Sequence, residues 1–484
     1  MLDPLTEIEK LKAELQASRA QIAALETLVA QLRKQNEALM EQLARNSRNS
    51  NRPPSSDPPG RSGGGGGRKS KKRGKPKKRR KPGGQVGHPG SHRALLPAEK
   101  VTRIEDVFPS RCESCWKPMP EVIDPDARRH QVMEIPPFEP EVTEYRRHAV
   151  TCECGYTTRV PFAESQIPTS AFGPRMMSLV ALLTGVYHLS RRKAGKLLSD
   201  ICGAEISVGS ISALEGRVSE AVAPAVSEAW EQVQAAEVKH TDGTSWLQSG
   251  VALSLWTLAS CAATVFKIVA SSSRASLIDL YGDLKGILVS DRAKVLNFWT
   301  MDRRQVCWAH LLRKFVSFSE RDGPAGRFGR ELLDYTGILF EYWHDFKDGR
   351  LDEKTFQAWM RPVREQLEAT LERAVTAQIP RLSGSCADIL AHRDALWTFV
   401  THRLVEPTNN HAERELRAFV LWRKRSFGTR SERGNLFAER IMTVAHTARK
   451  QGKDVLEFLT ACCEARESGT STPSLFESDI QKAS

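Results

Sequence analysis

The sequence predicts an α/β protein: a mixed-sheet core with a helical insertion, preceded by a coiled coil, a cysteine-pair module and a helical region. Three observations predict it. Residues 238–270 hold three short strand-like runs joined by tight turns. Ile287-Leu288-Val289-Ser290 is nearly all apolar, which suits a strand buried on both faces. Acids close two of these runs, at Asp242 and Asp291, and a third, Glu413, opens a later helix.

At 484 residues the chain can hold several domains and at least one sizeable core. Its formal net charge is +13, and residues 58–98 carry 13 Lys or Arg with no Asp or Glu. Without that segment 58 basic residues face 58 acidic ones, so the excess is one basic stretch that suits a polyanion. Met1-Leu2-Asp3-Pro4 has neither a basic n-region nor an apolar h-region, which predicts a cytoplasmic protein. The most apolar window, residues 251–270, contains Lys267 and splits into two strands, so no membrane span is expected. Ten cysteines in a reducing compartment are expected to bind metal rather than form disulfides.

Residues 1–45 are predicted to form a coiled coil. Ile8, Leu11, Leu15, Ile22, Leu25, Val29, Leu32, Leu39 and Leu43 fall at heptad positions a and d, interrupted by Ser18 and Asn36. Asn36 at an a position favours a parallel pair, so a homodimer or higher oligomer is expected. The same stripe also fits one amphipathic helix packed on its own chain. Residues 46–100 read as a disordered basic Gly/Pro-rich linker. Between 68 and 81, 11 of 14 positions are basic, including Lys71, Lys72, Arg73, Lys77, Lys78, Arg79 and Arg80. Cations at this density neutralise phosphates without reading base sequence.

Residues 101–165 are predicted to be zinc-ribbon-like. Cys112-Glu113-Ser114-Cys115 and Cys152-Glu153-Cys154 flank strand-like sequence at 131–135 and 142–150. Four thiolates can close a tetrahedral Zn²⁺ shell and hold together a region too small for a core. The second pair is one residue short of the usual knuckle, and His148 is a substitute ligand. Residues 166–235 read as helices, with a helix-turn-helix-like step that puts Ser210 and Ser212 where a reading helix would begin.

Residues 236–318 and 405–465 are predicted to form the two parts of one core, with 319–404 as a helical insertion. Arg304-Gln305-Val306-Cys307-Trp308 is the candidate fifth strand. Pro407-Thr408-Asn409-Asn410-His411-Ala412-Glu413 opens a helix that Asn409 or Asn410 can cap. Three strands, a helix, a buried strand and a late acid-bearing helix together predict an RNase H-like core. Magnesium prefers carboxylate oxygens and keeps open positions for water and phosphate. Two such ions can stabilise the entering and leaving oxygens of an in-line displacement. Asp242 would bridge two Mg²⁺ ions, Asp291 would hold one and Glu413 the other. Each acid alone has a plainer use: Asp242 in a turn with Gly243, Asp291 as a helix cap, Glu413 paired with Arg417. Glu415 is the nearest rival to Glu413 but faces another side of the helix. Arg414, Arg417, Arg423 and Lys424 are predicted to clamp DNA phosphates beside the acid, or to form a solvated face. Residues 466–484 read as a disordered tail.

The combination resembles a bacterial DDE transposase of the insertion-sequence sixty-six family. The most specific pieces are Asn409-Asn410-His411-Ala412-Glu413-Arg414, Arg423-Lys424-Arg425-Ser426-Phe427, and Cys307-Trp308-Ala309-His310 with Arg313. Gly84-Gln85-Val86-Gly87-His88-Pro89-Gly90 at the end of the linker also matches. The resemblance implies Asp242, Asp291 and Glu413 as the metal-binding triad, magnesium as cofactor, and double-stranded transposon ends and target DNA as partners. It implies a nucleoid-associated protein, with small element-encoded accessory proteins as further partners. It also marks Cys307 and His310 as residues standing behind the metal ligands; otherwise they are a buried strand-end Cys and a helix-capping His. Three departures stand out: Gly243 where an acid is expected, Arg292-Ala293 after the second aspartate, and the short second cysteine pair. Two other functions fit the same modules: a non-catalytic DNA-binding regulator with a decayed core, and a nuclease that cuts without joining.

Overall fold

The computed structural model describes residues 4–46, 48–50, 94–137, 139–160, 167–282 and 284–476. The chain divides into two units: Met1–Gly63, Thr143–Asp200 and Ala204–Ser484 form one, and Gly64–Val142 with Ile201–Gly203 the other. The expected zinc-ribbon-like stretch is thus split at residue 142. In the smaller unit the side chain of Arg129 donates to the Leu96 carbonyl at 2.8 Å, and that of Gln131 at 2.9 Å. The strand expected at 131–135 does not form. Val132 and Ile135 are exposed, so no second layer rewards pairing there.

The larger unit begins with α1, Pro4–Ala44, one continuous helix. Its heptad side chains Ile22, Leu25, Val29, Leu32 and Leu39 are all exposed. Of the strand expected at 142–150 only Ala149–Thr151 (β1) forms, pairing antiparallel with Thr157–Arg159 (β2). Helices α2 (Pro174–Ala181), α3 (Arg191–Cys202), α4 (Val208–Ala221) and α5 (Ala223–Ala235) follow. They bury Val180, Leu198, Ile211 and Val218 completely.

The central sheet is built from β3 (Val238–Gln248), β4 (Val251–Ala259), β5 (Thr264–Val269), β6 (Ile287–Ser290) and β7 (Arg304–Val306). Its order is β5-β4-β3-β6-β7. The β5, β4 and β3 neighbours are antiparallel, and β3, β6 and β7 run parallel. Helix α6 (Arg274–Tyr281) carries the chain from β5 to β6, capped by the Ser273 hydroxyl. All four β6 residues are buried, as a strand covered on both faces requires.

The β5 edge is sealed by side chains of α13 (Glu432–Lys450). The Thr264 amide donates to Thr447 Oγ1 at 3.1 Å, Phe266 to Thr443 Oγ1 at 3.2 Å, and Ile268 to Glu439 Oε1 at 2.7 Å. Four helical residues rise about 6 Å and two strand residues about 6.6 Å, so a row of i, i+4, i+8 side chains meets alternate strand amides. An edge that would otherwise template a foreign strand is closed.

The insertion is helical, with α7 (Trp308–Ser319) leading to α8 (Gly323–Lys347), α9 (Glu353–Thr376), α10 (Ser383–Leu390) and the short α11 (Thr398–Thr401). Phe315, Phe318, Leu332, Leu339, Phe356 and Leu367 close its core around Trp308. It also covers the β7 edge, where Thr398 Oγ1 donates to the Arg304 carbonyl at 2.6 Å. Helix α12 (Asn410–Ser426) returns to the sheet before α13, and α14 (Val455–Ser468) ends the helices. The tail expected to be disordered from residue 466 is not so over its described part. Leu475 is buried, and its amide donates to Glu228 Oε2 at 2.8 Å.

Candidate active site

Strand β3 pairs with β6 in the register Val238↔Ile287, Lys239↔Leu288, His240↔Val289. Two residues further along both chains stand Asp242 and Asp291. In the β6–β7 pair Ser290 faces Val306, so Cys307 is level with Asp291. Asp291 follows the carboxyl end of β6, whereas Asp242 lies in the middle of β3: the strand expected to end at Asp242 runs on to Gln248, because its second half pairs with β4. Glu413 sits in the first turn of α12. One of its oxygens lies 3.6 Å from His310 Nδ1 and the other 3.6 Å from an Arg313 nitrogen. It turns to these groups of α7 rather than to Arg417.

Asp242 feels the charges of Asp291 and Glu413. Burial pushes Asp242 up to about 7; the Asp291 and Glu413 charges add to the rise, and the Gly243 amide and Arg313 oppose it. Like charges gathered in a partly dry site with one nearby guanidinium repel. His310 Nδ1 and Glu413 Oε1 are buried without a hydrogen-bond partner among the described residues. Carboxylate oxygens suit a hard divalent cation such as Mg²⁺, but among the described residues Asp242, Asp291 and Glu413 do not bring their ligand atoms within 4.8 Å of one another. Cys307 Sγ, one His310 nitrogen and one Glu413 oxygen do lie within 4.8 Å of one another. Burial raises the Cys307 thiol to about 11, so it stays protonated and accepts the Asn409 amide at 3.1 Å.

Two buried polar residues hold this arrangement. The Asn409 side chain makes no capping bond to α12. Its Nδ2 donates to the Thr241 carbonyl at 2.7 Å, and its Oδ1 lies 3.3 Å from His240 Nδ1. With Nδ2 committed as donor, Oδ1 must accept, so His240 carries its proton on Nδ1. Asn409 thus ties the middle of β3, beside Asp242, to Cys307 and to the helix bearing Glu413. Arg304 is fully buried. Its guanidinium donates to Ser290 Oγ at 3.1 Å, Asn297 Oδ1 at 2.8 Å, and the Asp291 carbonyl at 2.8 Å. Burial lowers it to about 10 against the pull of Asp291, so it remains a cation behind that aspartate.

A family model described as "Transposase IS66 family" matches residues 169–436, which takes in both aspartates, Arg304, Asn409 and Glu413. The chain belongs to the IS66 transposase family. A second model, a family of unknown function, matches residues 3–94 of the chain. A curated relative, "Uncharacterized protein y4qI" of Sinorhizobium fredii (strain NBRC 101917 / NGR234), is 26% identical over 161 residues. That alignment covers 32% of the chain and 29% of the relative.

The chain departs from the expected acid after Asp242 for a steric reason. A Cβ at Gly243 would lie 2.8 Å from the indole of Trp256, its cross-strand partner, so no side chain fits. Arg292, the unexpected residue after Asp291, pairs with Asp388 of the insertion at 3.0 Å. Glu415 belongs to a separate cluster with His446, Lys450 and His411. Burial opposes its charge, but His446 and Lys450 hold it down to about 2.

The predicted DNA-contacting residues divide. Lys71, Lys72, Arg73, Lys77, Lys78, Arg79 and Arg80 lie outside the described residues. Arg414, Arg417 and Lys424 are exposed on α12. Arg423 instead braces β3, its guanidinium donating to Thr244 Oγ1 at 2.9 Å and to Ser245. Ser212, expected at the start of a reading helix, is held by Arg433, whose guanidinium donates to its carbonyl at 2.9 Å. Cys112–Cys115 and Cys152–Cys154 each occupy a tight turn, in the smaller and larger unit respectively. Amide N–H groups, first those of Cys115 and Cys154, hold the Cys112 and Cys152 thiols below their ordinary range. Such turns suit thiolate ligands.

Among the described residues no helix is long and apolar enough to cross a membrane.

Proposed function

We propose that this chain is a DDE transposase with an RNase H-like core, cutting DNA at transposon ends and joining the freed 3′-hydroxyl to target DNA. The observation that carries this reading is the register of β3 and β6, which sets Asp242 and Asp291 two residues beyond a paired position on parallel neighbours. The strand order, three antiparallel strands followed by a helix and two parallel strands, supports the same core. Asp242, Asp291 and Glu413 would hold two Mg²⁺ ions, which supply positive charge to the entering and leaving oxygens of phosphoryl transfer. Cys307 and His310 stand behind Glu413, and Arg313 balances part of its charge. Arg414, Arg417 and Lys424, with the basic run at 71–80, would carry the phosphates of double-stranded DNA. The cysteine pairs are proposed to bind structural Zn²⁺. Two or more copies would assemble through α1 in the bacterial cytoplasm, on the nucleoid, with small element-encoded proteins as further partners.

The test incubates the full chain with Mg²⁺, DNA carrying the inverted repeats that flank its gene, and a target plasmid. Sequenced end–target junctions are the expected result. Cutting without junctions would make the protein a nuclease, and binding without cutting would make it a regulator.

A further inference from the structure

Phe427 closes α12 in the left-handed region, at φ 57° and ψ 25°. Glycine is the usual residue at such a helix end, because a side chain there meets the backbone. Phe427 also leaves its ring 76% exposed. A bulky apolar residue is thus held in an unfavourable backbone conformation with its ring in water. Departures from local preference of this kind concentrate at working surfaces.

The turn is rigidly anchored. A Cβ at Gly428 would collide with the Leu247 carbonyl oxygen, so the chain can pass there only as glycine. The Thr429 amide then donates to that carbonyl at 2.9 Å, and the Ser249 amide donates to the Thr429 carbonyl at 2.9 Å. The ring stands on a fixed base tied to the β3–β4 hairpin.

The surroundings select the ligand. Residues 416–431 contain Arg417, Arg423, Lys424, Arg425 and Arg430 and no acid. Of these, Lys424, Arg425 and Arg430 flank the ring and are exposed. At about 100° per residue, Arg417 and Lys424 stand within roughly 40° of the bearing of Glu413 around the helix. One face of α12 therefore runs from the proposed metal ligand past two cations towards an exposed ring. Phe427 is 14 residues beyond Glu413, about 21 Å along the axis, which spans about six base pairs of duplex.

We infer that Phe427 is a DNA wedge: its ring stacks on or between bases about six base pairs from the cleaved phosphate, while the flanking cations hold the backbone. Aromatic side chains that enter a duplex in this way unstack a base step and fix the register of the bound DNA. The inference rests on the DNA transposase reading above.

The experiment uses the full-length protein and transposon-end duplexes with 2-aminopurine placed at successive positions. In the wild-type complex, fluorescence is expected to rise several-fold at one step about six base pairs from the cleavage site and to stay flat elsewhere. Phe427→Ala abolishes the rise and weakens end binding about tenfold, and Phe427→Trp restores both. The slope of log affinity against log salt stays unchanged in Phe427→Ala, whereas Arg417→Ala lowers it by about one. Phe427→Gly suits the left-handed turn, so it should melt no lower than the wild type and still lose the signal. DNA binding with a flat fluorescence profile, or a signal that survives in Phe427→Ala, overturns the wedge alone. A change in the mass of the DNA-free protein on substituting Phe427 assigns the ring to a protein contact and also overturns it. Failure of the wild type to bind end DNA at all removes the transposase reading and the wedge together.

Discussion

Asp242 and Asp291 stand level on neighbouring parallel strands, two residues beyond the paired positions His240 and Val289. Burial and the neighbouring acids raise Asp242 from 3.8 to about 7. An acid whose folded pKa is raised contributes stability that is fully present below its unfolded pKa and is lost as pH rises through the folded one. Metal-free protein should therefore lose on the order of 2–4 kcal/mol from this group between about pH 4 and pH 8. Asp242→Asn should flatten that slope and melt higher than the wild type at about pH 8 in EDTA. Added Mg²⁺ should stabilise the wild type and leave the variant unmoved. Calorimetry across pH, with and without Mg²⁺, checks all three outcomes.

Asn409 joins three elements of the site. Replacing it with Ala strands the Thr241 carbonyl and His240 Nδ1 in a buried place, at a cost of about 2–3 kcal/mol. End cleavage should fall by at least about tenfold while DNA affinity holds, because the carboxylates shift and no phosphate contact is lost. Urea unfolding and single-turnover cleavage measure the two effects separately.

Arg304 supports the loop that carries Asp291. Lysine has fewer donors and no planar fork, so Arg304→Lys leaves at least one of Ser290 Oγ, Asn297 Oδ1 and the Asp291 carbonyl unmet. The expected loss is about 2–3 kcal/mol, together with a higher Mg²⁺ requirement for cleavage. An unchanged midpoint in urea and an unchanged Mg²⁺ dependence would mean that the loop holds itself.

The parts of the site legible in the sequence are those with local signatures. Asp291 follows an apolar run of strand length, and Glu413 lies one turn into a helix with a polar start; the strand expected to end at Asp242 instead runs to Gln248, because its pairing with β4 is not visible locally. Asn409 reads as a helix cap because that use is local. Its actual acceptor, the Thr241 carbonyl, is 168 residues away and invisible to any window. Arg304 at the start of a short strand gives no sign of burial, since arginine is rarely buried without partners and these lie in a loop with no repeat. Arg423 looks like its exposed neighbours; only the packing of α12 against β3 separates it from Lys424. The strand expected at 131–135 has the right composition, but its apolar side chains find no sheet to pack on.

The cysteine pairs make a prediction of their own. Protein purified without chelator should contain zinc by elemental analysis. Cys112→Ser and Cys154→Ser should each lower the zinc content. Retention of full zinc in both variants would leave the thiols as unrelated reduced cysteines.

The most direct measurement compares the wild type with Asp291→Asn and Glu413→Gln on the same end DNA, following binding and 3′-end cleavage in Mg²⁺ at fixed salt. The isosteric amides keep the fold and remove the charge. The expected result is unchanged binding and cleavage lowered by at least about a thousandfold in both. Cleavage by either variant at the wild-type rate would contradict the assignment of these carboxylates to the reaction.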